Sequence, residues 1–182
     1  MIAPHLCPVL KPTPMKDVLT GLLSLLSLIT NAQHMNTPQQ TVTQLFVATD
    51  QQNWEAVTAV FAETVTLDYA SMNGNPASAL TPEQIVTAWQ GILPGFEHTH
   101  HQLGNFLVEQ TDTTAHVHCY GTASHYLPHE DGNVWLVVGS YDLDLKQREN
   151  GTWAITAMTF NFKYQDGNTA LAQAAIKNVQ NK

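Results

Sequence analysis

The chain is short of cysteine and of positive charge, and each shortage removes a class of explanation. Among 182 residues there are two cysteines, Cys7 and Cys119. Cys7 lies in a segment that reads as a removable leader, which would leave one thiol and no disulfide framework in the mature chain. Cys119 sits in a strand-like stretch and reads as a small core residue; the alternative is a reactive thiol. Lysine and arginine together number seven against 15 acidic residues, for a formal net charge of -8. No basic face is visible, so the pattern excludes an ordinary nucleic-acid binder, and the acidic balance favours solubility. A membrane-spanning helix needs ~20 apolar residues. The apolar run Val18 to Ile29 is shorter and is interrupted by Thr20, Gly21, Ser24 and Ser27. Internal repeats and low-complexity segments are also missing, and the length suits one domain plus a tail.

That apolar run has its own reading. Lys11 and Lys16 precede it, and the small-x-small site Thr30-Asn31-Ala32 follows. This is the pattern of a secretory signal peptide cleaved after Ala32; the alternatives are a disordered leader, an amphipathic N-terminal helix or a mis-called start, with Met15 as the true one. Residues 1–32 are therefore expected to be a leader and 33–40 a polar linker. A domain over 41–167 and a C-terminal helix or tail over 168–182 complete the organisation. An exported chain would be secreted or periplasmic, and a chain without a signal peptide cytoplasmic.

Within the domain the hydrophobic period is helical first and two-residue later. Thr37-Pro38 reads as an N-cap and first helical position, with Val42, Leu45, Phe46 and Thr49 following at helical spacing. Asp50-Gln-Gln-Asn53 breaks that helix. Asn53 then caps a second, with Trp54, Val57, Val60 and Phe61 on one face. Val65 to Tyr69 alternates as a short strand. Met72 to Pro76 is turn-rich, and Thr81-Pro82-Glu83-Gln84 opens a further helix through a capping box. Strands are expected near 99–109, 113–126, 133–147 and 152–164, with Asn150-Gly151 as a hairpin turn. Helices followed by hairpin-connected strands make an α+β fold. Its mixed β-sheet is expected to curve into a cone, with the helices packed on the concave side.

Four polar residues stand out against this pattern: Asp50, Tyr69, His101 and His125. Strand parity puts Ala115, Val117, Cys119, Gly121, Ala123 and His125 on one face. An imidazole at the end of such a row of small residues suggests a cavity, although the residue taken alone reads first as a core histidine satisfied by one hydrogen bond. Asp50 at a helix break is a loop or cap carboxylate. Paired with His125 it would fix the imidazole tautomer and raise its basicity. Tyr69 is either an amphipathic core residue or a pocket phenol. Asp142 and Asp144 share one strand face, as an outer polar row or at the pocket mouth. His98, His100 and His101 with His116 and His118 invite a metal reading, but no carboxylate or cysteine completes a zinc set at familiar spacing, so no metal is expected. The four tryptophans read as core or interface anchors.

In order along residues 40–165, D-x-x-x-W, L-D-Y, H-x-x-G, a strand-end histidine and G-x-W appear. This frame resembles the SnoaL-like branch of the nuclear transport factor 2-like superfamily, and within it the scytalone dehydratases. The resemblance implies that Asp50 orients His125 as the catalytic histidine, that His101 is a second pocket histidine, and that Tyr69 binds the substrate carbonyl through water. The family's other tyrosine falls at Thr49 here and its pocket asparagine near Asp142. Both positions, with Gly121 and Ala123, are expected to line the substrate site. The implied activity is a cofactor-independent dehydratase acting on a small cyclic hydroxy-carbonyl compound; an isomerase, a polyketide-cyclase type of enzyme and a non-catalytic ligand-binding module are the alternatives. The implied partners are a small-molecule ligand and further copies of the chain, as a homodimer or homotrimer across the open sheet face.

Overall fold

Two short sequences of the form Thr-Pro-x-Gln start two helices of the helical layer. At Thr37 the hydroxyl accepts from the Gln40 amide at 3.2 Å, while the Gln40 side chain accepts from the Thr37 amide at 2.9 Å. The same reciprocal pair joins Thr81 and Gln84 at 3.4 and 2.9 Å. Each box satisfies donors that a helix start leaves open, and Pro at the first position needs no donor partner. The helices that follow are α1, Pro38–Asp50, and α4, Pro82–Gln90. Between them lie α2 (Trp54–Ala59), β1 (Phe61–Asp68), a single turn α3 (Ala70–Asn73) and β2 (Ser78–Leu80). A 3-10 turn at Leu93–Gly95 leads into β3 (His98–Gln110), β4 (Thr114–Tyr126), β5 (Val134–Gln147) and β6 (Trp153–Gly167), and α5 (Leu171–Gln180) ends the chain.

The structure, a computed structural model, describes residues 36–182. The expected leader, the cleavage site after Ala32 and residues 33–35 of the linker lie outside the described residues. The α+β architecture is as expected, a mixed, curved sheet in the order β2-β1-β6-β5-β4-β3. Strands β3 to β6 form an antiparallel meander, and β1 joins β6 in parallel. The helical face contributes Val42, Leu45, Val57 and Ile85 to the core. The sheet contributes Val117, Leu143, Ile155 and Met158, all fully buried.

Local boundaries shift where tertiary pairing outweighs propensity. Phe61 begins β1 rather than ending α2, because it pairs with Ile155 of β6 and the preceding Val60 carbonyl accepts from the Ile155 amide at 2.9 Å. Tyr69 falls just past β1 as the N-cap of α3. The Ala70 amide takes an Asp68 carboxylate oxygen at 2.8 Å, which turns the chain there. The first helix starts at Pro38 behind its Thr37 cap, as the sequence predicts, so residues 38–40 of the stretch also read as linker are helical. At the far end, Gly95 allows α5 to dock. A β-carbon at that position would run into the Ala175 backbone.

Candidate active site

Asp50 is the last residue of α1, where the chain reverses through Gln52 at φ 54° before Asn53 caps α2. A carboxylate at this position faces the negative end of the helix dipole, against local preference. Strand β3 supplies the compensation. One Asp50 oxygen accepts the His101 backbone amide at 2.7 Å. The other pairs with His101 Nδ1 at 2.7 Å and accepts the Thr99 hydroxyl at 3.0 Å. The carboxylate thus grips both the main chain and the ring of one residue. Burial raises the Asp50 pKa, but the hydrogen bonds and charge of His101, with Thr99, outweigh it and leave the carboxyl below its usual range. An ionised Asp50 accepts a hydrogen bond from His101 Nδ1–H, which leaves Nε2 as the acceptor.

This corrects the expected pairing of Asp50 with His125. The Cα register sets Thr99 opposite His125 and His101 opposite Ala123, so both imidazoles share the concave face. At the end of α1 the Asp50 carboxylate makes its hydrogen bonds to Thr99 and His101 of β3. His125 is 6 % exposed and its Nδ1 lies 3.3 Å from the Trp135 carbonyl, its hydrogen-bond acceptor. Its ring stacks on Trp135 at 4.7 Å and tilts against Phe96 at 4.9 Å. Burial, then the neighbouring His101, push its pKa down to about 4 against weaker opposing effects from the Trp135 carbonyl and Asp50. His125 is therefore neutral at neutral pH, and its ring stands 6.2 Å from that of His101 at 83°.

The two rings open on a cavity of about 160 Å3. Tyr69, Thr49 and Ala123 line it, and Tyr141, Trp135 and Phe46 line it as well. Thr49 keeps its hydroxyl on the Leu45 carbonyl at 2.8 Å, so it presents its methyl group rather than a free donor. Gly121 is not a lining residue. A β-carbon there would collide with the Tyr141 ring, so its contribution is room for that ring. Asp142 is excluded from the cavity: it pairs with His118 Nδ1 at 2.8 Å and accepts from Asn161 at 2.5 Å on the opposite face. His116 joins that outer row through Asp144 at 2.8 Å. Cys119 is fully buried, and burial, reinforced by Asp142, pushes its thiol up to about 12, which fits the inert core reading. Among the described residues no group of three or more potential ligands is arranged to hold a metal ion.

Tyr141 was not singled out from the sequence, although parity could have found it. It pairs with Cys119 of the inward row, and the alternation that turns Asp142 and Asp144 outward turns Tyr141 inward. Thr99 and Trp135, which hold Asp50 and His125, carry no comparable signal.

The model of the SnoaL-like domain matches residues 38–159, most of the described chain. The chain belongs to the SnoaL-like domain family. No curated protein matches it in sequence. Solved structures give the same fold. A protein from Kribbella flavida, Kfla4162, is 24% identical over 74% of this chain and 93% of its own, with a TM-score of 0.68. A scytalone dehydratase candidate from Novosphingobium aromaticivorans is 18% identical, covering 85% of this chain and 92% of its own at a TM-score of 0.63. A type 2 hexachlorocyclohexane dehydrochlorinase is 12% identical, covering 85% and 93% at 0.60. These neighbours share the fold.

Proposed function

We propose that this SnoaL-like protein is a cofactor-independent lyase that removes water from a small cyclic β-hydroxy ketone. The reading is carried by one arrangement: Asp50 clamps His101 by ring and backbone beside a cavity that also holds phenols. Two structural neighbours support the reaction class, since one is named as a candidate scytalone dehydratase and the other as a dehydrochlorinase, and both names denote elimination across adjacent carbons.

In this reading His101 Nε2 takes the proton α to the carbonyl, and Asp50 stabilises the imidazolium that forms. Tyr69 donates to the carbonyl oxygen as charge collects there. Burial raises its pKa, which keeps it a protonated donor. The β carbon–oxygen bond then breaks, and the imidazolium returns its proton to the departing hydroxyl, giving an enone and water. His125, neutral with Nδ1 held by the Trp135 carbonyl, accepts the hydroxyl hydrogen at Nε2 and holds the leaving group in line. No oxidant, reductant or metal enters the balance.

The test is conversion of 3-hydroxycyclohexanone to cyclohexenone, followed by ultraviolet absorbance. Wild type is expected to turn over and His101→Gln to be slower by roughly 10²- to 10⁴-fold. Equal rates for the two proteins would refute the assignment. Exchange of the α-hydrogen without release of water would move the protein to the isomerases or cyclases, and binding without exchange to the ligand-binding modules.

A further inference from the structure

Two phenols, not one, face the cavity, and the second has no role in the scheme above. Tyr141 is 5 % exposed, in van der Waals reach of Phe46 and Phe160, with ring centroids at 4.7 and 4.8 Å. Among the described residues no hydrogen bond ends on its hydroxyl, yet no buried side-chain oxygen is left without a partner. Tyr141 lines the cavity, which is the open space beside its ring. Burial, then Tyr69, Cys119 and Asp50, raise its pKa. Its hydroxyl is a neutral donor that no protein acceptor meets among the described residues. Such a buried donor is costly to desolvate unless a ligand oxygen supplies the acceptor.

The backbone is shaped to put it there. Gly121 of β4 and Gly139 of β5 are Cα partners. A β-carbon at Gly121 would strike the Tyr141 ring, and one at Gly139 would meet the Phe160 ring at 2.6 Å. The two glycines open adjacent slots, and the two aromatic rings fill them and form the cavity floor. The rest of the lining is apolar or aromatic, with Met72, Trp89, Ile92 and Leu93 from the helical side, and it contains no lysine or arginine. Arg148, the single arginine of the chain, is spent on the Ala59, Phe61 and Trp153 carbonyls. An anionic substrate would find no cationic side chain among the described lining residues. A cavity of about 150 Å3 holds one benzene ring, which matches the space here.

We infer that Tyr141 is a second catalytic donor that meets the carbonyl oxygen together with Tyr69, and that the site takes an uncharged, single-ring ketone. This rests on the elimination reading for its chemistry but not for its test. Two donors on one oxygen hold it more strongly as charge develops, and removing one such donor typically costs on the order of 10²-fold in rate.

The test is the carbonyl stretching frequency of cyclohexenone bound to wild type, Tyr69→Phe and Tyr141→Phe, read by infrared difference spectroscopy. Phe keeps the ring that fills the slot, so a change reports the hydroxyl alone. Wild type is expected to shift the band to lower frequency, and each single variant to lose part of that shift. A Tyr141→Phe complex with the wild-type frequency would overturn the assignment. So would the failure of wild type to bind cyclohexenone, or binding of 3-oxocyclohexane-1-carboxylate as tight as that of the neutral ketone, where at least tenfold weaker binding is expected. A wild type that shifts the band without dehydrating 3-hydroxycyclohexanone would refute the elimination reading and leave the two-donor site standing.

Discussion

At the scale of single residues, the site depends on which histidine the carboxylate holds. Asp50 accepts three hydrogen bonds, all from Thr99 and His101. An asparagine there could still accept, but its amide would face Nδ1 or the backbone donor with hydrogens of its own, and it carries no charge to stabilise an imidazolium. Asp50→Asn is therefore expected to lower kcat for cyclohexenone formation by roughly 10²- to 10⁴-fold with little change in KM, measured in steady state. The individual residues were legible in the sequence: Asp50, Tyr69, His101 and His125 stood out as polar interruptions of an apolar pattern. The partner of Asp50 was not legible. His101 and His125 lie on the same sheet face, and choosing between them depends on where the end of α1 lands across β3 and β4, a tertiary fact with no local signal. Tyr141 was hidden for another reason: a tyrosine among Leu143, Val137 and Trp135 reads as ordinary core.

At the scale of elements, β4 and β5 build the cavity by leaving side chains out. Gly121→Val would force the Tyr141 ring from its slot. Overpacking of this kind is expected to destabilise the fold by roughly 1–3 kcal/mol, measured by urea unfolding, and to weaken binding of cyclohexenone as well. The capping boxes make a contrasting case. Thr81→Ala removes the hydroxyl that receives the Gln84 amide, and should cost ~1 kcal/mol. The four long strands and both boxed helices were readable because period, caps and turn residues agree locally. The short pieces were not. Strand β2 spans three residues and exists through its pairing with β1, with Val65 opposite Leu80. The move of Phe61 from helix to strand likewise follows from β6, over 90 residues away in sequence.

At the scale of the whole molecule, the buried imidazole ties stability to pH. His125 has an ordinary value of 6.5 and is held down to about 4 in the fold. The unfolded chain therefore binds more protons than the native one between these values. Stability is full above about pH 6.5 and falls as pH drops toward and through 4. Asp50, also depressed, adds a loss in the same direction at lower pH. His116 has the opposite sign: Asp144 raises its pKa despite partial burial, so its contribution is lost as pH rises through that raised value. It sits on the exposed outer face, where solvent weakens it. Thermal unfolding across pH 4 to 7 should show a steeper acid decline for wild type than for His125→Leu, and equal slopes would deny His125 this role. We also propose self-association across the outer sheet face, where Leu107 and Tyr120 are exposed beside His118. Sedimentation should give two or three times the 20.1 kDa chain mass, adjusted for any removed leader.

The central claim is that Asp50 and His101, not Asp50 and His125, form the base. Deuterium exchange at the α carbon of 3-hydroxycyclohexanone, followed by NMR in deuterated buffer, tests it most directly because it reads proton removal apart from loss of water. The account predicts rapid exchange by wild type and a fall of at least roughly 10²-fold in Asp50→Asn. Exchange should be retained in His125→Leu even where dehydration slows. Exchange abolished in His125→Leu and unchanged in Asp50→Asn would contradict it.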